Sequence, residues 1–243
     1  MIDESEVRKR YNEIDCIWDP SDAWHTYTHK KINKVLRDIE NTYIPSGGTV
    51  LFAGSAGNSY SIKSATEFHL DVAENTLKGV ENAVVGSIQN MPFQSNSVDC
   101  IVCVGSVVNY VDLTMAIIEF QRVLKPQGVL ILEFEKSDSF EYIYTKHFKK
   151  NISLVETFYN NGAERIWVYS YRHFIKEIKQ ANFKIKYENH FHIASSLMLR
   201  LSKNSNFSSK LSCLDVFLSR TPIIKYFSCN SLFVLSKNAF NEL

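Results

Sequence analysis

The chain opens on helical spacing. Val7, Tyr11 and Ile14 recur at three- to four-residue intervals, and Ile32, Val35, Leu36 and Ile39 do so again. Between these runs, Trp18-Asp19-Pro20-Ser21-Asp22-Ala23-Trp24-His25 interrupts the period. Pro20 is the breaker, and Ser21 or Asp22 can cap a second helix. Pro45-Ser46-Gly47-Gly48 ends that helix. From Thr49 onward the pattern is one of short apolar strands: Thr49–Ala53, Glu67–Val72, Ala83–Val85, Val98–Val104 and Val129–Phe134. Leu113–Leu124 is an amphipathic helix, and Lys125-Pro126-Gln127-Gly128 is a turn. Uninterrupted apolar strands are those of a sheet buried on both faces, and their alternation with helices predicts mostly parallel pairing with right-handed crossovers.

The last third is less regular. Ile152–Tyr159 and Arg165–Ser170 flank Asn160-Asn161-Gly162, and the Asn-Gly pair predicts a hairpin turn. Tyr171–Ala181 is a predicted helix and Phe183–His192 a strand. Ser195–Phe227 is helical with a break near Thr221-Pro222, and Ser231–Ser236 is a closing strand. No repeat and no low-complexity linker divides the chain.

Length and composition fit this α/β pattern. A chain of 243 residues, 45% hydrophobic and 22% charged, is one large globular domain or two small ones. No apolar run approaches the roughly 20 residues of a membrane-spanning helix, so no integral membrane segment is expected. The acidic start, Met1-Ile2-Asp3-Glu4-Ser5-Glu6, does not resemble a signal peptide. Five cysteines without framework spacing suit a reducing cytoplasm. The net charge of +1 gives no general affinity for nucleic acid, yet it is unevenly spread. From Tyr171 to the end there are eleven Lys and Arg against four Asp and Glu. That basic stretch could face an anionic substrate, a partner or a membrane surface; a solvated lysine-rich face is the simpler reading.

Parallel sheets bind ligands at the carboxyl ends of their strands. The first strand runs into Gly54-Ser55-Ala56-Gly57-Asn58, where glycine permits close backbone approach and after which a helix is expected. Asp71 ends the second strand, where a carboxylate can accept both hydroxyls of a ribose. A glycine turn with one acid is weak evidence for a nucleotide site. Three later segments strengthen it: Val85-Gly86-Ser87-Ile88-Gln89-Asn90-Met91-Pro92-Phe93, Ser97-Val98-Asp99-Cys100-Ile101-Val102 and Glu119-Phe120-Gln121-Arg122-Val123-Leu124-Lys125-Pro126-Gln127-Gly128. Together, over about residues 48–136, they resemble the class I S-adenosylmethionine-dependent methyltransferases, specifically the type-11 group of small-molecule enzymes.

The resemblance implies a Rossmann-like methyltransferase fold with a seven-stranded, mostly parallel sheet and helices on both faces. An N-terminal helical cap (1–45) would precede the cofactor domain (46–243), which would carry a hairpin insertion (151–170) and a helical insertion (193–230) before the last strand. It implies S-adenosylmethionine as cofactor. Gly54, Ser55, Ala56 and Asn58 would cradle its methionine end, and Asp71 with neighbouring Val72 would hold the ribose. Ser87 and Ile88 would border the adenine, Gly105 and Ser106 would lie under the sulfonium, and Tyr11 would approach from a lid formed by the N-terminal segment. Three positions depart from the family pattern. Phe52 replaces an acid, Ala56 replaces a glycine and is tolerable if its dihedrals stay negative, and Ser87 replaces an aspartate common at the adenine amine.

His25 and Tyr110 are the candidate catalytic residues. A histidine titrates near neutrality and can act as a base. His25 and His29 share a helix face, yet a third metal ligand is lacking, so no metal is expected. Trp18, Trp24, His25 and Tyr27 read as exposed residues of the lid. Val108-Asn109-Tyr110 lacks the prolines of the amino-methyltransferases that modify DNA bases, which argues against a DNA substrate; Asn109 and Tyr110 could still face the acceptor. Cys100 and Cys103 fall on opposite faces of one strand and belong to the core. The expected reaction is methyl transfer to a small or carrier-bound acceptor, with O-methylation slightly favoured over N-methylation. The alternatives are a cofactor-binding regulatory protein without turnover and an RNA methyltransferase. The segment before the last strand is expected to wall the acceptor pocket or to dock an anionic carrier, and the hairpin could pair with a second copy of the chain.

Overall fold

The computed structural model describes every residue except Met1, Ser61, Ser64, Ala65, Asn160, Asn161 and 239–243. Helix α1 (Glu4–Asn12) is capped by the Asp3 carboxylate, and α2 (Ala23–Tyr43) by Asp22, which accepts the N–H groups of Trp24 and His25. Strands β1 (Thr49–Ala53), β2 (Thr66–Asp71), β3 (Ala83–Val85), β4 (Val98–Cys103) and β5 (Leu124–Glu135) follow, with α3 (Leu113–Val123) between the last two. A separate hairpin, β6 (Ile152–Tyr159) and β7 (Gly162–Tyr169), leads into α4 (Tyr171–Gln180) and β8 (Phe183–Phe191). Three short helices, α5 (Ala194–Ser202), α6 (Ser205–Ser209) and α7 (Asp215–Leu218), precede β9 (Asn230–Lys237).

The main sheet has seven strands in the order β3-β2-β1-β4-β5-β9-β8. The first five are mutually parallel, while β9 runs antiparallel to both β5 and β8. Its two faces are covered by different helices. On one, Leu51, Ile101, Cys103 and Leu130 pack with α3 and α4 through Ile117, Phe120, Phe174 and Ile178. On the other, Val50, Phe52, Cys100 and Ile131 pack with Ile32, Val35, Leu36 and Ile39 of α2. Helix α2 is thus a layer of the fold, and the cap proper reduces to α1 and the loop after it. Cys100 and Cys103 do lie on opposite faces, and burial pushes the Cys100 thiol up to about 12.

Three local expectations change. The Lys125–Gly128 turn sits inside β5 as an irregularity: Leu124 still pairs with Val98, the register shifts before Cys100, and Gln127 takes φ +65°. No helix follows the glycine turn among the described residues between β1 and β2. Asn58 instead donates its side-chain amide to the Ser55 and Ala56 carbonyls, a local bond that competes with helix formation. Tyr60 and Ile62 then bury themselves against the α2 side of the sheet. The segment before β9 forms short pieces rather than a helix broken once near Pro222. The hairpin is present, with Tyr159 paired to Gly162; the Asn160-Asn161 part of its turn lies outside the described residues.

Candidate functional site

At the carboxyl ends of β1, β2, β4 and β5 lies a cavity of about 1270 Å³, counting its mouth. All thirteen residues singled out above line it: Tyr11, His25, Gly54, Ser55, Ala56, Asn58, Asp71, Val72, Ser87, Ile88, Gly105, Ser106 and Tyr110.

The floor is set by backbone geometry. Gly54 has φ +70°, and a Cβ there would stand 2.3 Å from a Val107 methyl, so only glycine fits. Ala56 takes φ +43°, so the condition for tolerating an alanine there is not met, and the loop carries left-handed strain. That loop is tied down by Asp71, whose Oδ2 accepts the Ala56 N–H at 2.7 Å and whose Oδ1 accepts the Ala73 N–H at 2.9 Å. Burial raises the Asp71 carboxyl above its usual range, and these N–H bonds pull against that rise. Each oxygen keeps a lone pair for a further donor.

Beside β3, the Ser87 hydroxyl donates to Glu4 Oε2 at 2.6 Å, and Gln89 Nε2 donates to the same oxygen at 3.0 Å. An acid therefore does stand at this wall, supplied by α1. Beyond β4, Gly105 (φ +86°) and Ser106 (φ +59°) donate their N–H groups to Glu133 Oε2 at 2.9 and 2.7 Å. The Trp18 ring lies 3.5 Å from where a Gly105 Cβ would be. Its Nε1 is buried and has no partner among the described residues.

The roof comes from the N-terminal segment and the hairpin. Arg10 reaches across to the carbonyls of Ala163 (2.8 Å) and Gly162 (3.3 Å), which clamps α1 onto the hairpin. The Tyr11 hydroxyl donates to Tyr110 at 3.1 Å, and Tyr110 donates to Glu164 at 2.8 Å. Tyr159 stacks on Tyr11 and bonds to the Ile17 carbonyl. Burial drives the Tyr110 phenol well above its ordinary value, so at neutral pH it is a hydrogen-bond donor and not a base. His25 contacts Asp22 Oδ2 through Nδ1 at 2.6 Å, which leaves Nε2 as the nitrogen available to a ligand. His29 has separate company, stacked on Trp18 at 4.6 Å.

Other expectations fail here. Asn109 does not face the cavity; it is buried and bonds to the backbone of Glu135 and Trp167. Trp24 is not exposed, because it stacks on buried His192 at 3.7 Å. Of the helical insertion (193–230), Asn230 at the start of β9 lines the cavity, but no described residue of its helices does. That insertion braces α2 instead, through Tyr27 to the Ser212 carbonyl (3.1 Å) and Ala23 to Asn206 (3.0 Å).

Sequence reasoning missed Glu4, Glu135 and Glu164 as lining residues and named Trp18 only as an exposed residue of the lid. Glu135 is partly buried and accepts the Ser106 hydroxyl at 3.1 Å. Its carboxyl is pushed up to about 8 by burial and by the neighbouring Glu141 and Glu133. A signal was present: Glu133 and Glu135 continue the face of Val129 and Ile131 at the carboxyl end of a buried strand, where ligands bind. Four carboxylate residues, Glu4, Asp71, Glu135 and Glu164, line the cavity, with no Lys or Arg among its described lining residues.

This donor set fits S-adenosylmethionine. Asp71 suits the ribose diol, Glu4 with Ser87 suits an amino-purine, and the unpartnered Trp18 Nε1 suits the methionine carboxylate. The strand order and crevice are those of the Rossmann-like fold of class I S-adenosylmethionine-dependent methyltransferases. Direct comparison agrees with this fold: residues 46–132 match a type-11 family described as a methyltransferase domain. Among curated relatives, an uncharacterised protein of Methanocaldococcus jannaschii is 30% identical over 134 residues, covering 51% of this chain and 58% of its own. The ubiquinone/menaquinone biosynthesis C-methyltransferase UbiE of Campylobacter jejuni is 33% identical over 131 residues, covering 48% and 54%. The match thus spans a little over half the length of each relative. The geranyl diphosphate C-methyltransferase of Streptomyces coelicolor, solved with Mg²⁺, geranyl diphosphate and S-adenosyl-L-homocysteine, superposes with a TM-score of 0.60. It covers 96% of this chain and 97% of its own at 10% identity, which is likeness of fold alone. Among the described residues, no helix is long and apolar enough to cross a membrane.

Proposed function

We propose that the chain transfers the methyl group of S-adenosylmethionine to an acceptor without negative charge, with an amine as the group its cavity attracts most. The observation that carries this is the lining: four carboxylate residues, a ring of aromatics and no lysine or arginine among the described residues. Even with Glu135 protonated and Glu164 paired with Arg10 at 3.4 Å, the remaining carboxylates disfavour a carboxylate or phosphate acceptor and favour a cation. This moves the preference from oxygen to nitrogen.

The bound cofactor supplies an electrophilic methyl carbon on a sulfonium that leaves without further activation. The protein's part is alignment, water exclusion and one proton. Asp71 holds the ribose, Ser87, Ile88 and Glu4 hold the adenine, and Trp18 with Gly105 holds the methionine end. The Arg10 clamp and the Tyr11–Tyr110–Glu164 chain keep the roof over the crevice. His25, its Nδ1 proton anchored on Asp22, takes the acceptor's proton at Nε2. Glu135, protonated through much of the neutral range, hydrogen-bonds an acceptor without opposing its approach.

The test is transfer of labelled methyl from S-adenosylmethionine to matched panels of amines, neutral alcohols and carboxylates. Amines should be methylated, and His25→Ala should lower kcat by about 10²-fold or more with cofactor affinity kept. Preferential methylation of carboxylates would overturn the acceptor assignment. Cofactor binding without transfer to any panel would favour the regulatory reading.

A further inference from the structure

We propose that the helical segment between β8 and β9, together with the loop after β5, docks the protein onto a bilayer surface carrying anionic headgroups. The segment is built inside out. Its buried residues are polar, namely Ser195 and Ser196 of α5, Ser208 of α6, Ser212, and Asp215 of α7. Its apolar side chains point to water: of the thirteen large hydrophobic residues exposed among the described residues, eight lie within 194–227. Ile223, Leu201 and Phe217 are 73%, 71% and 69% exposed. A helix that faced only water on its outer side would show the reverse pattern.

The same surface is cationic. Residues 194–227 hold five Lys and Arg and one acid, Asp215, which is buried and accepts the N–H groups of Ile193 and Ala194. Lys225 is paired with Glu188, whereas exposed Lys203, Lys210 and Arg220 have no ion pair among the described residues. The loop after β5 continues the face. Arg200 donates to the Ile143 carbonyl at 3.1 Å, and Phe227 stacks on Phe140 at 4.8 Å. That loop adds Tyr144, 93% exposed, and the exposed lysines 146, 149 and 150.

Charge complementarity selects the occupant. Nucleic acid would meet the cations but leave the leucines and phenylalanines in water. A second copy of the chain would set like charge against like. An anionic bilayer takes both, with apolar tips entering the acyl boundary and lysines at the headgroups. Helices of nine, five and four residues cannot span a bilayer, so the segment lies on it. Because it braces the amino end of α2 beside His25, docking would also place the cavity near the membrane.

The full chain should be floated with vesicles of phosphatidylcholine alone and with about one quarter phosphatidylglycerol. At low salt it should partition at least about tenfold more strongly to the anionic vesicles, and about 0.5 M salt should remove most of that preference. Leu201→Glu/Phe217→Glu/Ile223→Glu should lose at least about tenfold in partition while its affinity for S-adenosylhomocysteine stays within twofold. Met115→Glu/Ile118→Glu, which alters exposed apolar residues on α3, should bind vesicles as the parent does. Three results would overturn the proposal: no preference for anionic vesicles, equal binding by the triple variant, or a dimer that the triple variant dissociates with no vesicle binding by either protein.

Discussion

Glu4 offers the sharpest test of how the cofactor is held, because nothing near it in sequence marks it as a binding residue. Its carboxylate already accepts from Ser87 and Gln89 and lines the cavity where the adenine would sit. A third donor, the exocyclic amine of adenine, would complete its coordination. Hydrogen bonds to charged groups contribute about 1.5–3 kcal/mol. Glu4 is only half-buried, and solvent screening reduces this to about 1–1.5 kcal/mol, or roughly 5- to 12-fold in Kd. Glu4→Ala should therefore weaken S-adenosylhomocysteine by that factor in calorimetry. The analogue lacking the exocyclic amine separates recognition from cap loosening, since a disordered α1 would weaken both ligands alike. Its affinity for the variant should stay within about twofold of the parent's. Equal losses for the two ligands, or no loss for either, would refute the direct contact.

Further outcomes follow from the same geometry. Asp71→Asn keeps the shape of the side chain and should cost S-adenosylhomocysteine at least about tenfold by calorimetry, while Asp71→Ala should also lose about 2–4 kcal/mol in denaturant unfolding because the Ala56 and Ala73 N–H groups lose their acceptor. Ala56→Gly should stabilise the protein by about 1 kcal/mol in the same assay by relieving φ +43°. Gly54→Ala should destabilise it by about 2–4 kcal/mol, and Val107→Ala added to it should restore the steric part but not the left-handed strain. Burial holds the folded Glu135 carboxyl at about 8 against 4.5, so the stability it contributes in protonated form is full below about pH 4.5 and is lost as pH rises toward 8. Glu135→Gln removes that loss, and its Tm relative to the parent should climb between pH 5 and 8; a constant difference would mean that Glu135 is not held protonated.

Much of the architecture was legible because it follows from local pattern. Thr49–Ala53 and Ala83–Val85 are strands with the bounds their apolar runs predict, and Asp22 caps α2 as its position before the periodic run requires. Side-chain alternation alone placed Cys100 and Cys103 on opposite faces. The glycine turn and Asp71 came together for the same reason: each ends a strand of one parallel sheet, so their carboxyl ends share an edge.

What the tertiary structure decided are contacts between elements far apart in the chain. Glu4 meets Ser87, Arg10 grips Gly162, and Tyr11 reaches Glu164 through Tyr110, none of which any periodicity can announce. That no helix follows Gly57 among the described residues was equally hidden. Whether the chain beyond Asn58 coils or extends depends on α2 already occupying that face of the sheet, where Tyr60 and Ile62 pack against it. The insertion before β9 has helical spacing in its leucines, but spacing cannot say which side faces in. Buried Asp215 and the serines took the inner side through hydrogen bonds to backbone and to His192, which left the leucines and phenylalanines outside. Local spacing sets which residues share a face; only the neighbours that close over a face decide whether it meets protein, ligand or solvent.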